Sequence, residues 1–62
     1  GDVLYPKSAG VKLMGRAGEG GKVLATLAKT DEMIYMGEEQ DGYLKVESSS
    51  GSGWVKKILV AK

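Results

Sequence analysis

Gln40-Asp41-Gly42-Tyr43-Leu44-Lys45-Val46-Glu47-Ser48-Ser49-Ser50-Gly51-Ser52-Gly53-Trp54-Val55 holds two short alternating segments, each introduced by turn-forming residues. Alternation with a period of two places every second side chain on the same face of a strand. Leu44 and Val46 therefore share one face, and Val55 must join them if the hairpin is to bury anything. This holds when position 44 lies opposite 55 and 46 opposite 53, because a slip of one residue would turn every apolar side chain to the other face. Asp41-Gly42 supplies the leading turn, since both residues tolerate positive φ, and Ser48-Ser49-Ser50-Gly51 supplies the next. The opposite face then carries Tyr43, Lys45 and Trp54. In that register Trp54 lies opposite Lys45 and diagonal to Tyr43, within reach of a cross-strand contact and of an ammonium group over the indole. Two readings of this face stay open: aromatics that brace the fold beneath a loop, or aromatic surface kept for a partner.

Outward from this hairpin, ten glycines interrupt almost every window long enough for a helix. The exception, residues 22–36, breaks at Thr30-Asp31 and resumes in strand chemistry at Met33-Ile34-Tyr35-Met36, so it reads as two strands and a turn. Further strand-like segments lie at 3–5, 11–14, 23–27, 32–38, 43–47 and 53–55, spaced by roughly 8 to 12 residues. The expectation is an all-β chain: a small barrel of about five to six short antiparallel strands, closed on itself to remove exposed edges. The glycine-rich stretch from Gly15 to Gly21 reads as a long flexible loop between two strands. No repeat and no linker divides the sequence, so residues 1–62 form one domain. Gly1 in place of an initiator Met reads as a tag scar, or as the start of a fragment excised from a larger protein.

Composition narrows the chemistry. Of 62 residues, 42% are hydrophobic, and setting aside the five alanines leaves 21 to fill space. A chain this short needs nearly all of them in its core. The sequence contains neither Cys nor His, which excludes disulfides, thiolate or imidazole metal ligation, and cysteine or histidine catalysis. Nine basic and eight acidic residues leave a net charge of +1, and their signs alternate along the chain. No basic stripe offers itself to phosphates, so nucleic acid is not an expected partner. The longest apolar run, Met33 to Met36, is far too short for a membrane helix.

The glycine-rich loop fails both phosphate-binding patterns. A P-loop requires glycine at position 16 and Ser or Thr at position 23, where Arg16 and Val23 stand; the dinucleotide fingerprint also meets Val23 where its third glycine belongs. Glu38 and Glu39 are adjacent on a strand and point to opposite faces, so they do not form a catalytic carboxylate pair. Lys56-Lys57 reads as a solvated strand end. Neither an enzymatic activity, nor a cofactor, nor a metal site is expected.

Five blocks of the chain resemble the bacterial Src-homology-3 (SH3b) family. They are Val11-Lys12-Leu13-Met14-Gly15-Arg16-Ala17-Gly18, Lys22-Val23-Leu24-Ala25-Thr26-Leu27, Tyr35-Met36-Gly37-Glu38, Gly42-Tyr43-Leu44-Lys45-Val46 and Gly53-Trp54-Val55-Lys56-Lys57. Leu13, Arg16, Gly18, Lys45, Val46, Gly53, Trp54 and Val55 stand where the family pattern has them, and an aliphatic end follows at Ile58-Leu59-Val60. The chain departs from that pattern at Met14 and Gly15 (Asn-Val in the family), Glu19 (Pro), Thr30 (Gly) and Tyr43 (Trp). The resemblance implies an SH3-like barrel acting as a non-catalytic accessory module. It implies a location outside the cytoplasm and recognition of peptidoglycan or an envelope peptide. The alternative is a structural domain that docks on its own parent chain or on a partner protein without a small ligand. The candidate binding residues are Tyr5, Arg16, Tyr43, Lys45 and Trp54. A row of only three aromatics, Tyr5, Tyr43 and Trp54, beside a turn reading Lys56-Lys57-Ile58, does not match the proline-rich peptide readers of the fold.

Overall fold

The computed structural model describes residues 2–18 and 20–61. Gly1 and Glu19, both given a reading above, and Lys62 lie outside the described residues. Seven strands follow one another along the chain: β1 (Val3–Pro6), β2 (Val11–Met14), β3 (Val23–Leu27), β4 (Met33–Gln40), β5 (Tyr43–Ser48), β6 (Gly51–Lys56) and β7 (Val60–Ala61). A single 3-10 turn, Lys57–Leu59, separates the last two. All pairings are antiparallel, in the order β3-β2-β6-β5-β4-β1-β7.

The six anticipated strands are present, with ends displaced by one or two residues, and β7 is additional. It pairs with β1 through Tyr5↔Ala61 and Pro6↔Val60. A flat sheet of seven strands would be thin in one direction, whereas the Cα trace measures 26 × 21 × 20 Å. The sheet is therefore curled into a half-barrel. Its concave side is lined from every strand: Leu4, Val11, Leu13, Leu27, Met33, Leu44, Val46, Val55 and Val60 form one buried cluster. Among the described residues no helix is long and apolar enough to cross a membrane.

Turn chemistry sets the hairpins. Gln40 pairs with Tyr43 across a two-residue loop in which Asp41 and Gly42 have φ of 52° and 79°. Positive φ at both central residues matches the right-handed twist of the strands on either side. Between β5 and β6, Ser48 pairs with Gly51. The Ser48 hydroxyl accepts from the Ser50 N–H at 3.1 Å and donates to the Gly51 carbonyl at 3.1 Å. Between β3 and β4, the Asp31 carboxylate accepts from the Ala28 N–H at 2.8 Å, while the Asp31 N–H donates to the Ala28 carbonyl at 3.0 Å. A side chain that satisfies its own turn in this way holds the chain reversal without help from the core.

Gly53 occupies the tightest point of the curl. It lies opposite Val46 and faces the core, and a Cβ there would stand 2.7 Å from the Met14 carbonyl oxygen and 2.8 Å from Leu13 Cγ. Strand β6 thus runs under β2 at a separation that only glycine permits, and Leu13 fills the space a side chain would have taken.

The expectation that nearly all large apolar residues are consumed by the core is not met. Ten hydrophobic residues are buried, while Val3, Tyr5, Val23, Leu24, Ile34, Met36, Ile58 and Leu59 are exposed. Alternation on a single curled layer is the cause. Only the concave face of the sheet is enclosed, so apolar residues at out-facing positions have no second layer to cover them.

Gly53→Ala is expected to lower the free energy of unfolding by about 1–3 kcal/mol, the usual cost of overpacking a filled core. Urea denaturation followed by Trp54 fluorescence measures it, and an unchanged midpoint would show that β2 and β6 are not in close contact.

Candidate binding surface

With Gly53 turned inward, Trp54 must turn outward. Its neighbours come from both sides: Met14 of β2 is its partner on one flank and Lys45 of β5 on the other. The Lys45 ammonium stands 5.9 Å from the centroid of the indole ring, inside the range where the ring quadrupole attracts a cation. The same ammonium is 3.9 Å from a carboxylate oxygen of Glu38. Met14, Trp54 and Lys45 are all half-buried. Leu24 on β3 is exposed, and its Cδ2 lies 3.7 Å from where a Cβ on Gly15, the residue after Met14, would be. Trp54 thus forms the centre of a band that runs from Met14 to the Lys45–Glu38 ion pair.

The register anticipated from alternation matches the structure: Leu44↔Val55, Val46↔Gly53 and Lys45↔Trp54. Tyr43 is diagonal to Trp54, as that register requires, and faces Lys56 on β6 and Gln40 on β4. The two aromatics have different surroundings, however. Tyr43 is 6% exposed yet contributes nothing to the main core cluster, while Trp54 keeps part of its ring in solvent.

Of the five sequence candidates, Tyr43, Lys45 and Trp54 come together. Arg16 follows the end of β2 in the loop to β3, where its guanidinium group folds back toward Gly20; a Cβ there would be 3.4 Å from one guanidinium nitrogen. The loop is closed by the Gly15 N–H donating to the Lys22 carbonyl at 2.7 Å. Tyr5 sits on β1, separated from β6 by β4 and β5, and its hydroxyl donates to a Glu32 carboxylate oxygen at 3.2 Å. Met14 and Glu38 belong to the surface but were not among the sequence candidates. The pairing of β2 with β6 joins segments about forty residues apart, and local alternation carries no record of it.

The surface offers an indole edge and a thioether beside a lysine that can exchange Glu38 for another anion. Such a band suits a ligand with an apolar or ring face and an adjacent anionic or polar group. Glu39 does not join Glu38 here. It accepts from the Lys57 ammonium at 3.3 Å, so the two adjacent carboxylates serve different cations. Among the described residues no set of three or more acidic side chains converges in a way that could hold a metal ion.

No protein-family model matches the chain, and no curated protein matches it.

The Tyr5–Glu32 contact makes a pH prediction. The hydrogen bond to Glu32, and then the negative charge of Glu32, hold the Tyr5 proton and raise its pKa above the ordinary tyrosine value; a small desolvation adds to this. A raised folded-state pKa means that the contact stabilises the fold fully below pH ~10 and loses that contribution as pH rises through the Tyr5 pKa. In an NMR titration of the tyrosine rings, Glu32→Gln should bring the Tyr5 pKa back toward the ordinary value. An identical Tyr5 titration in the two proteins would remove the contact from the account.

Proposed function

We propose that this chain is a non-catalytic binding module of the SH3b type, working outside the cytoplasm, whose Trp54 band takes peptidoglycan or an envelope peptide. The observation that carries this reading is the partial exposure of Trp54. A small domain gains most from enclosing its largest side chain, and here that side chain lies on the open face between Met14 and Lys45. Chemistry favours binding over catalysis, because a sequence without His or Cys lacks the side chains that most often activate nucleophiles at neutral pH. The family resemblance supports the ligand class: Trp54 of the Gly53-Trp54-Val55 block that motivates it forms the centre of the band.

A second reading, a structural domain docking on its parent chain or on a partner protein, draws support from the enclosure of Tyr43 and from the number of aliphatic side chains left exposed. The two readings diverge in solution. Titration with muropeptides should change Trp54 emission and shift the amides of Met14, Lys45 and Trp54, and Trp54→Ala should weaken binding roughly tenfold or more. Unchanged emission and amide shifts, together with loss of acrylamide quenching of Trp54 in a longer form of the parent protein, would replace the ligand reading with the docking one.

A further inference from the structure

Two shallow hollows, of about 520 Å³ and about 480 Å³, lie end to end on the outer face of the sheet and share Ile34 and Glu47. These two residues are cross-strand partners on β4 and β5, so they form the saddle between the hollows. Apolar surface runs along this line. Ile34 is 37% exposed, Met36 on the same face of β4 is 48% exposed, and Val3, the partner of Ile34 on β1, is exposed as well.

Among the described residues the rim has one sign of charge. Asp2 and Glu47 border the first hollow, and Asp31, Glu32 and Glu47 border the second. Four of the eight acidic residues of the chain are gathered here, and none of the described lysines and arginines lines either hollow. This is a marked polarisation for a chain of net charge +1. Glu47 takes part in neither of the two ion pairs, Lys45–Glu38 and Lys57–Glu39. Lys45, two positions before Glu47 on β5, is engaged with Glu38 instead.

We propose that this saddle is a docking site for an extended cationic segment of a partner polypeptide, one that alternates lysine or arginine with aliphatic or aromatic side chains. An extended chain presents side chains alternately to opposite directions about 3.3 Å apart along its axis. One set can therefore settle its apolar groups on Ile34, Met36 and Val3 while flanking cations reach the acidic rim. The chemistry excludes other occupants. Nucleic acid and an anionic membrane are repelled by the rim. Among the described residues no ligands converge on a metal ion, and a simple polyamine would leave the apolar saddle uncovered. The site adjoins the Trp54 band, because Lys45 and Glu47 are successive outward positions of β5, yet it is separate in sign and can succeed or fail independently.

The test is an NMR titration of the intact protein with a short, end-blocked peptide alternating lysine and leucine. Peptides alternating glutamate with leucine, and lysine with serine, serve as controls. The lysine–leucine peptide should shift the amides of Ile34, Met36, Glu47 and Ser48, weaken with added salt, and lose roughly fivefold to tenfold in affinity to Glu47→Lys, which replaces one attraction by a repulsion. Glu47 is exposed and outside both ion pairs, so retained spectral dispersion in that variant checks its fold. The proposal is overturned by an equal response to the glutamate–leucine peptide, or by shifts centred on Trp54 and Lys45 with none at Ile34. It is equally overturned by affinity unchanged in Glu47→Lys. Shifts of the same amides on concentrating the protein alone would make a second copy the occupant and refute a separate partner. Failure at the saddle leaves the Trp54 band untouched, since muropeptide is read on different amides.

Discussion

The contact on which the rest of the structure depends is the approach of β6 beneath β2 at Gly53. With no side chain at that position, the Met14 carbonyl and the Leu13 side chain come within 2.7 Å and 2.8 Å of where a Cβ would stand. Leu13 can then reach the centre of the cluster that Val46 and Val55 enter from the other strands. The same contact fixes the phase of β6. Because Gly53 faces in, Val55 also faces in, and Trp54 between them has no choice but the outer face. Core and candidate surface are therefore two consequences of one residue's size.

A single curled layer explains how this domain distributes its apolar surface. Every strand contributes to the enclosed side, but no second layer covers the convex side, and out-facing aliphatic residues remain in solvent. They are not scattered evenly in chemistry. One group, Met14 and Trp54, ends at a lysine. Another, Val3, Ile34 and Met36, is bordered by carboxylates. Ile58 at the 3-10 turn is 73% exposed beside Lys56 and Lys57. Apolar groups framed by charge of one sign discriminate between ligands more sharply than bare apolar surface does, because a wrong partner must leave charges unpaired.

Much of this was legible in the residues. Asp41-Gly42 announced a turn with both φ values positive, and the structure has it. Alternation in Tyr43–Val46 and Gly53–Val55 gave the register and the Lys45–Trp54 contact, because both segments belong to one hairpin and their pairing is local. What escaped was non-local. The register shift in β4 between Tyr35 and Glu39 changes how residues beyond it meet β5, and an isolated Gly37 does not locate it. The hydrogen bond of Tyr5 to Glu32 spans 27 positions, and the place of β1 in the sheet, beyond β4 and β5, sets Tyr5 apart from Trp54. Tyr43 shows a different limit: alternation tells which face a side chain takes and says nothing about what lies over that face. The Ile34–Glu47 saddle was invisible for the same reason, since its carboxylates come from the chain start, the β3–β4 turn and β5.

The central claim is that Gly53 facing in under Leu13 forces Trp54 to face out over Lys45. A methyl-detected NOE spectrum tests it directly. The account predicts strong cross-peaks from the Gly53 α-protons to the Leu13 δ-methyls, and from the Trp54 ring to the side-chain methylenes of Lys45 and the Met14 methyl. Cross-peaks from the Trp54 ring to Leu13 or Val46 methyls, with none between Gly53 and Leu13, would mean a strand shifted by one residue and would contradict it.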